Sequence, residues 1–446
     1  MPDIAIVGSG PAGYYAAEAA QKIWGDAARI DIIDRLPVPY GLIRSGVAPD
    51  HQSIKAVARR YETTALSGNV RFCGHVDIGR DIAIGDLTQC YDAVVLATGA
   101  PSDRPLAIPG DDAGNVFGSA AFVGWYNGHP DFAALDPDLS GGTAVVIGMG
   151  NVALDVARIL AKTRAEFAGS DIVAHALDRI DAGQLDRIVV LGRRGPHQIM
   201  MTPKELGELG HLSRAIPRVD PADLPPVGED AVLEPGLRKS VGQLRAFAAN
   251  HGRSEPGRIP IDFVFCAAPR AIVTGDDGKA AAIDIEETRI ENGRPVGIGV
   301  IRRIPASLVI SCIGYRTTPI PDVPFDERDG RFANVDGFIQ PGLYCVGWAR
   351  RGPSGTIGTN RPDGYAVIER IAADLSDAAA RGALPARSGR AGFDALARAR
   401  GLEVVSFDDW KRIEAAETER ARADAPREKF VVIGDMIAAR SESRLS

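Results

Sequence analysis

Two arginines side by side, Arg193 and Arg194, stand at the tip of the apolar run VVLGRRGP. An isolated Arg-Arg pair is ordinarily a solvated loop. Placed beyond a nucleotide-binding turn it becomes a clamp for a phosphate dianion, because guanidinium groups make forked, charge-assisted hydrogen bonds to phosphate oxygens. Such a turn lies upstream. TAVVIGMGNVALDVARILAK, residues 143–162, reads strand, glycine turn, helix, with Gly148, Gly150 and Ala153 at the spacing of a dinucleotide fingerprint. The intervening AEFAGSDIVAHALDRIDAG makes the distance to Arg193 longer than the usual interval of about 20 residues.

A second turn of the same kind opens the chain. GSGPAG follows IAIV directly and starts a helix. Gly8 permits the tight turn, Gly10 lets a pyrophosphate approach the backbone, and Gly13 allows close packing of helix on strand, while the helix N-terminus supplies amide donors and partial positive charge. The next strand, ARIDIIDR, ends in Asp34, 26 residues after Gly8, where a carboxylate receives ribose hydroxyls. The two units therefore carry opposite charge at equivalent strand tips. A carboxylate repels a 2'-phosphate and paired arginines attract one, so the second unit is expected to take NADPH and the first a different dinucleotide. FAD is the economical choice, because hydride transfer from NADPH to a flavin is a common pairing. GLYCVGWARRGPSGTIGTNRPDGYAVIERIAADL, residues 342–375, reads strand, glycine-rich loop, helix. Gly355, Thr356 and Ile357 would offer backbone amides to an electron-rich ring, and Trp348 could flank its plane.

The elements that must hold these residues are short β-runs alternating with Ala-rich helical stretches, the pattern of parallel sheets with crossover helices. The fold class is α/β, with two Rossmann-like nucleotide-binding domains. Two further apolar runs, YDAVVLATGAP and SLVISCIGY, end in small residues. They place crossings near residues 102 and 318 and make the first domain discontinuous: residues 1–102 and 319–446 bind FAD, and residues 103–318 form an inserted NADP-binding domain. A Pro-rich stretch, residues 216–230, is expected as a surface loop, and residues 376–425 as packing helices.

The bulk properties fit an enzyme. A chain of 446 residues exceeds a single core, which agrees with more than one domain. Cys73, Cys90, Cys266, Cys312 and Cys345 lie far apart with no metal-ligand spacing, so neither a disulfide nor a metal site is expected. A net charge of −7 argues against general nucleic-acid binding. No window approaches the ~20 apolar residues of a membrane span and a strand begins almost at once, so the expected location is cytoplasmic.

Assembled, these stretches resemble the adrenodoxin reductase family of ferredoxin-NADP reductases, including its bacterial members. The resemblance runs through GSGPAGYYAA, PVPYGLIRSGVAPDH, GNVALDVARIL, GRRGP, GWARRGPSGTIGTNRPDG and APREKF, and so covers nearly the whole chain. It implies that FAD is held at Ala12, Asp34, Leu42, Val76, Trp348 and Gly355 to Ile357. NADPH would be held at Met149, Gly150, Asn151, Val152, Arg193, Arg194, Glu205 and Gly355. It also implies His51 and Glu208 as proton-handling or orienting groups beside the flavin and nicotinamide. Asp34 departs from the Glu usual there and is one methylene shorter.

The implied reaction passes electrons from NADPH through FAD to an iron-sulfur ferredoxin. Arg238, Lys239 and Arg245, on a helix expected in GLRKSVGQLRAF, would be the landing site for an acidic 2Fe-2S ferredoxin. Three other readings share features. A glutamate synthase small-subunit-like electron-transfer flavoprotein has the same two fingerprints but usually adds a Cys-rich iron-sulfur region. A disulfide reductase requires a redox Cys pair. A nucleotide sensor would bind both cofactors without turnover.

Overall fold

Strand Asp3–Val7 is buried at every position, as an unbroken apolar run requires when helices cover both faces of a parallel sheet. A computed structural model of the chain describes residues 1–383 and 385–441, so residues 384 and 442–446 of the expected first domain, the former also in the expected helical segment, lie outside it. The first sheet runs Phe338–Gln340, Leu343–Cys345, Ala93–Leu96, Asp3–Val7, Arg29–Ile33, Val70–Cys73. All its pairs are parallel except the outermost, Phe338–Gln340 with Leu343–Cys345. Ile4 sits between Ile30 and Ala93, so strands from both ends of the chain share one core. Each such fully buried aliphatic side chain contributes about 1.5–3 kcal/mol.

The second sheet runs Val116–Gly118, Leu308–Ser311, Thr143–Ile147, Arg187–Leu191, Ile259–Val264, Ala215–Val219, parallel throughout. One of its faces is closed by helices such as Asn151–Ala161. The other is closed by an antiparallel three-stranded sheet, Ala267–Thr274, Ala280–Glu291 and Arg294–Pro305, whose Ile272, Ile283, Ile285 and Ile304 pack on Val145, Val189 and Leu191. The two chain crossings run side by side: Ser102–Asp103 pairs antiparallel with Tyr315–Arg316, and the hydroxyls of Ser102 and Thr318 meet at 3.0 Å.

The Pro-rich stretch is not all loop. Its first residues belong to the edge strand Ala215–Val219, with Pro217 in register with Ile261. A proline is tolerated there because an edge strand has one side without a ladder partner. The C-terminal helices Asn360–Ala380, Gly389–Ala399, Phe407–Glu419 and Ile433–Ala439 pack on the first lobe. Trp410 is fully buried, edge-on to Tyr40, with the Arg44 guanidinium over its ring. Arg44 in turn is paired bidentate with the buried Glu417.

The lobes are clasped by charge. Lys55 of the first lobe donates to Asp171 of the second at 2.6 Å and to the Asn127 side chain at 3.2 Å, while Lys429 from the C-terminal segment reaches Asp171 at 3.2 Å. Burial pushes both ammonium groups down, against the pull of Asp171. Burial would raise Asp171, but the two lysines outweigh it and hold its carboxyl at about 2. Removing one member of such a buried cluster typically costs about 3–5 kcal/mol, because the remaining charge stays buried without its partner.

Candidate functional site

The first glycine turn is shaped by backbone crowding. Gly8 adopts φ +113°, and a Cβ there would meet the Ala97 carbonyl oxygen at 2.4 Å; one on Gly13 would meet the Gly8 carbonyl oxygen at 2.0 Å. Gly10, by contrast, faces open space, with no atom within 4 Å of where its Cβ would be. The amides of Gly10, Ala12 and Gly13 have no acceptor among the described residues, and no side chain caps helix Pro11–Trp24. An open cradle with free donors at a helix start fits a dinucleotide pyrophosphate. Asp34 lies at the adjacent strand tip. Its carboxylate accepts from Ser9 Nα at 2.8 Å, Ser9 Oγ at 2.5 Å and Leu36 Nα at 3.0 Å. Val76 is buried beside it, its amide on the Asp34 carbonyl at 2.9 Å.

Other segments close over this turn. Tyr40 donates its amide to Ser9, and a Cβ on Gly41 would lie 3.2 Å from the Gly10 Cα, which brings the exposed Leu42 to the rim. Gly347, at φ +66°, leaves only 2.5 Å between its would-be Cβ and the Ala12 methyl. Its amide is held by Asp363, which also pairs with Arg350 and Arg351. Trp348 follows, its indole donating to the Ser354 carbonyl at 2.9 Å and its ring 6.0 Å from that of Tyr315. The amides of Gly355, Thr356 and Ile357 have no acceptor among the described residues. They precede helix Asn360–Ala380, as donors to an electron-rich group should.

The second turn repeats the plan in a more open setting. Gly148 adopts φ +144° against the Cys312 carbonyl, and Gly150 faces open space. The amides of Met149, Gly150 and Val152 have no acceptor among the described residues, and the turn bridges to Met200, whose amide donates to the Met149 carbonyl at 2.8 Å. Asn151 accepts the Thr202 amide on its side chain at 2.9 Å, which ties this turn to the start of helix Pro203–Leu209. Arg193 and Arg194 are exposed, and neither guanidinium has a hydrogen-bond or ion-pair partner among the described residues. Free guanidiniums beside free amides fit a phosphorylated ribose.

Glu205 and Glu208 lie on that helix, three positions apart. Glu208 reaches across the lobe boundary to His51, Oε2 to Nε2 at 2.9 Å. Sequence reasoning had paired these residues only by resemblance and missed what surrounds them. Arg158, 3% exposed, touches His51 at 3.2 Å, Glu208 at 3.3 Å and Asp155 at 2.7 Å, and also pairs with Asp50; Lys162 shares that Asp50. Burial would raise Asp50, but Arg158 and Lys162 hold it at about 2. Burial pushes Asp155 up, with Arg158 opposing. The i, i+3 spacing of Asp155 and Arg158 was the only local signal for this network.

Of the three proposed docking cations on helix Pro235–Ala248, two are engaged within the chain. Arg238 donates to the carbonyls of Asp230, Ala231 and Leu233, and Arg245 forks onto Asp230 at 2.7 and 2.8 Å. Lys239 is exposed, with no partner among the described residues.

Two fingerprint turns with opposite charge at their strand tips, on lobes joined at a His-Glu contact, define a two-nucleotide oxidoreductase. The model of the pyridine nucleotide-disulphide oxidoreductase family matches residues 2–189. The chain is 40% identical to the mitochondrial NADPH:adrenodoxin oxidoreductase of Homo sapiens, over 98% of this chain and 91% of that one. It is 37% identical to the NADPH-ferredoxin reductase FprA of Mycobacterium tuberculosis, over 97% and 98%. The solved structure of FprA in complex with NADPH superposes with a TM-score of 0.94 at 36% identity, covering 99% of this chain and 100% of that one. The chain belongs to the adrenodoxin reductase family of NADPH-ferredoxin reductases.

Proposed function

We propose that this protein is an FAD-dependent ferredoxin-NADP reductase that moves electrons from NADPH to an iron-sulfur ferredoxin. The first lobe, residues 1–102 and 319–446, holds FAD, and the second, residues 103–318, holds NADPH. The observation that carries the reading is the inversion of charge between equivalent strand tips: Asp34 is tied into its own turn, whereas Arg193 and Arg194 have no partner among the described residues. Full-length relatives named as ferredoxin or adrenodoxin reductases support it over the glutamate synthase alternative.

When bound, FAD supplies the two-electron acceptor for hydride and the one-electron donor for an iron-sulfur partner. The chain's own residues place and shield the cofactors. Gly8, Gly10, Ala12 and Gly13 cradle the FAD pyrophosphate, Asp34 takes ribose hydroxyls, and Leu42 and Val76 line the groove. Gly355 to Ile357 offer amides to the ring and Trp348 flanks it. Met149 to Val152 receive the NADPH pyrophosphate, Arg193 and Arg194 its 2'-phosphate, and Glu205 a ribose or nicotinamide-side group, with Gly355 shared. His51 and Glu208 hold a proton between the lobes at the His51 Nε2–Glu208 Oε2 contact, kept in orientation by Arg158.

The ferredoxin docks near Arg238, Lys239 and Arg245, with Lys239 as the cation that has no partner among the described residues and the two arginines shaping the surface. No described helix is long and apolar enough to cross a membrane, and a cytoplasmic location is part of the proposal. The test is to purify the protein, record its visible spectrum, and compare NADPH with NADH oxidation in the presence and absence of a 2Fe-2S ferredoxin. A flavin spectrum and ferredoxin-dependent turnover that favours NADPH are expected; a colourless protein that takes up no flavin on reconstitution overturns the reading.

A further inference from the structure

The exposed arginine pair stands on a loop whose backbone is tied down. Three successive carbonyls are occupied. Gly192 accepts from the Ala267 amide at 2.9 Å, Arg193 from the Thr288 hydroxyl at 2.8 Å, and Arg194 from the Cys266 amide at 3.1 Å. The Gly192 amide is anchored too, on the Val264 carbonyl at 2.9 Å. Cys266 adopts φ +49°, a conformation uncommon for a residue with a side chain, and the Thr288 amide holds its carbonyl at 2.7 Å.

Thr288 therefore bonds both strands of this arrangement, the arginine loop through its hydroxyl and the strained Cys266 through its amide. It is 8% exposed and lies on the central strand of the antiparallel sheet, where the register with Arg294–Pro305 shifts between Glu286 and Thr288. The extra residues of this bulge lie on the partner strand, between Gly297 and Ile301. Among the three carbonyl anchors, Thr288 alone acts through its side chain, so it can be altered without breaking a backbone ladder.

We propose that Thr288 is a positioning residue for NADPH selectivity: its hydroxyl sets the Arg193 carbonyl, and thereby the direction in which Arg193 and Arg194 present to a 2'-phosphate. The inference rests on the reading of the second lobe as the NADPH site. The physical reason is preorganisation. An arginine on a free loop loses backbone and side-chain freedom when it grips a phosphate, whereas one on a pinned loop has already given up the backbone share.

The test uses the holoprotein with Thr288→Val, which keeps the shape and removes the donor, and Thr288→Ser, which keeps the donor. Affinity for 2',5'-ADP is read by calorimetry, and KM for NADPH and for NADH with ferricyanide as acceptor. Loss of one net hydrogen bond predicts 2',5'-ADP affinity and KM for NADPH weakened by about 3- to 10-fold in Thr288→Val. KM for NADH and kcat should stay within about twofold, and Thr288→Ser should behave as the parent. Equal weakening toward NADPH and NADH, or unchanged 2',5'-ADP affinity in Thr288→Val, overturns the proposal. A parent protein that does not distinguish NADPH from NADH fails earlier, at the assignment of the lobe.

Discussion

The two nucleotide turns share strand, glycine loop and helix yet differ in how much of the molecule lies over them. The turn at Gly8–Gly13 is crossed by Gly41 and Gly347 at near-contact distance, and its helix is packed by the C-terminal helix through Gly364, whose would-be Cβ lies 3.0 Å from the Ala16 amide nitrogen. The turn at Gly148–Ala153 meets the Cys312 carbonyl, Met200 and the start of helix Pro203–Leu209, and its arginines face solvent. On the proposed assignment of FAD to the first turn and NADPH to the second, the difference teaches how one chain would separate a resident cofactor from an exchanging one. Enclosure slows departure, and an open, charged rim lets a soluble carrier arrive and leave.

The comparison breaks most visibly at Gly13. Gly13→Ala puts a methyl onto the Gly8 carbonyl, a backbone atom that cannot yield, and should strip flavin from the first lobe; the ratio of visible to protein absorbance checks this. A colourful Gly13→Ala protein would mean the turn is looser than its geometry. Next comes the open site. Replacing Arg193 and Arg194 together by Ala should raise KM for NADPH by about 10- to 100-fold, the range for charge-assisted hydrogen bonds, while flavin content and KM for NADH change little.

The clasp between the lobes should respond to acid. Asp50 and Asp171 both fall from 3.8 to about 2 on folding, so each contributes stability above its unfolded value that is lost as pH drops from about 4 toward 2. Each shift is on the order of 2 kcal/mol. Urea midpoints measured between pH 5 and pH 2.5 should decline steeply, and a flat profile would remove the clasp from the account.

A smaller effect is expected where the lobes meet over the site. Glu208→Gln keeps the shape of the His51 contact and removes the charge facing Arg158; kcat should fall by about tenfold or less with the preference for NADPH intact, as for an orienting group rather than an obligatory acid or base. The smallest is at the docking surface. Lys239→Glu should raise the ferredoxin KM by about two- to fivefold at low salt, an effect that disappears at high salt and is absent with ferricyanide as acceptor.

Much of the fold could be read directly from the chain. IAIV-GSGPAG and AVVI-GMGNVA mark the two strand-turn-helix units, and the strands Ala93–Leu96 and Leu308–Ser311 are legible as apolar runs, because periodicity and glycine spacing are local properties. Ala215–Val219 escaped the reading because four prolines within residues 216–230 resemble a loop, and only the vacancy of a sheet edge makes Pro217 acceptable. Arg158 escaped because its four partners come from three places, Asp50 with His51, Asp155, and Glu208, of which only one is local. The helix carrying Arg238, Lys239 and Arg245 is legible in the sequence, yet the engagement of Arg238 and Arg245 with the Asp230 turn is not, since helical spacing tells which cations share a face and not which carboxylate folds back onto them.

The amino-acid order alone determined the class of fold, the two fingerprints and the sign of charge each presents to a ligand, since each depends on residues within one strand-turn-helix. Only the tertiary structure decided which turn is enclosed and which is open, that His51 and Glu208 meet at 2.9 Å from different lobes, and that Thr288 reaches the Arg193 carbonyl. Those relations join residues 157 and 95 positions apart, and no local propensity encodes them. They arise when both sheets bury their apolar faces and the chain between them has a single way to close.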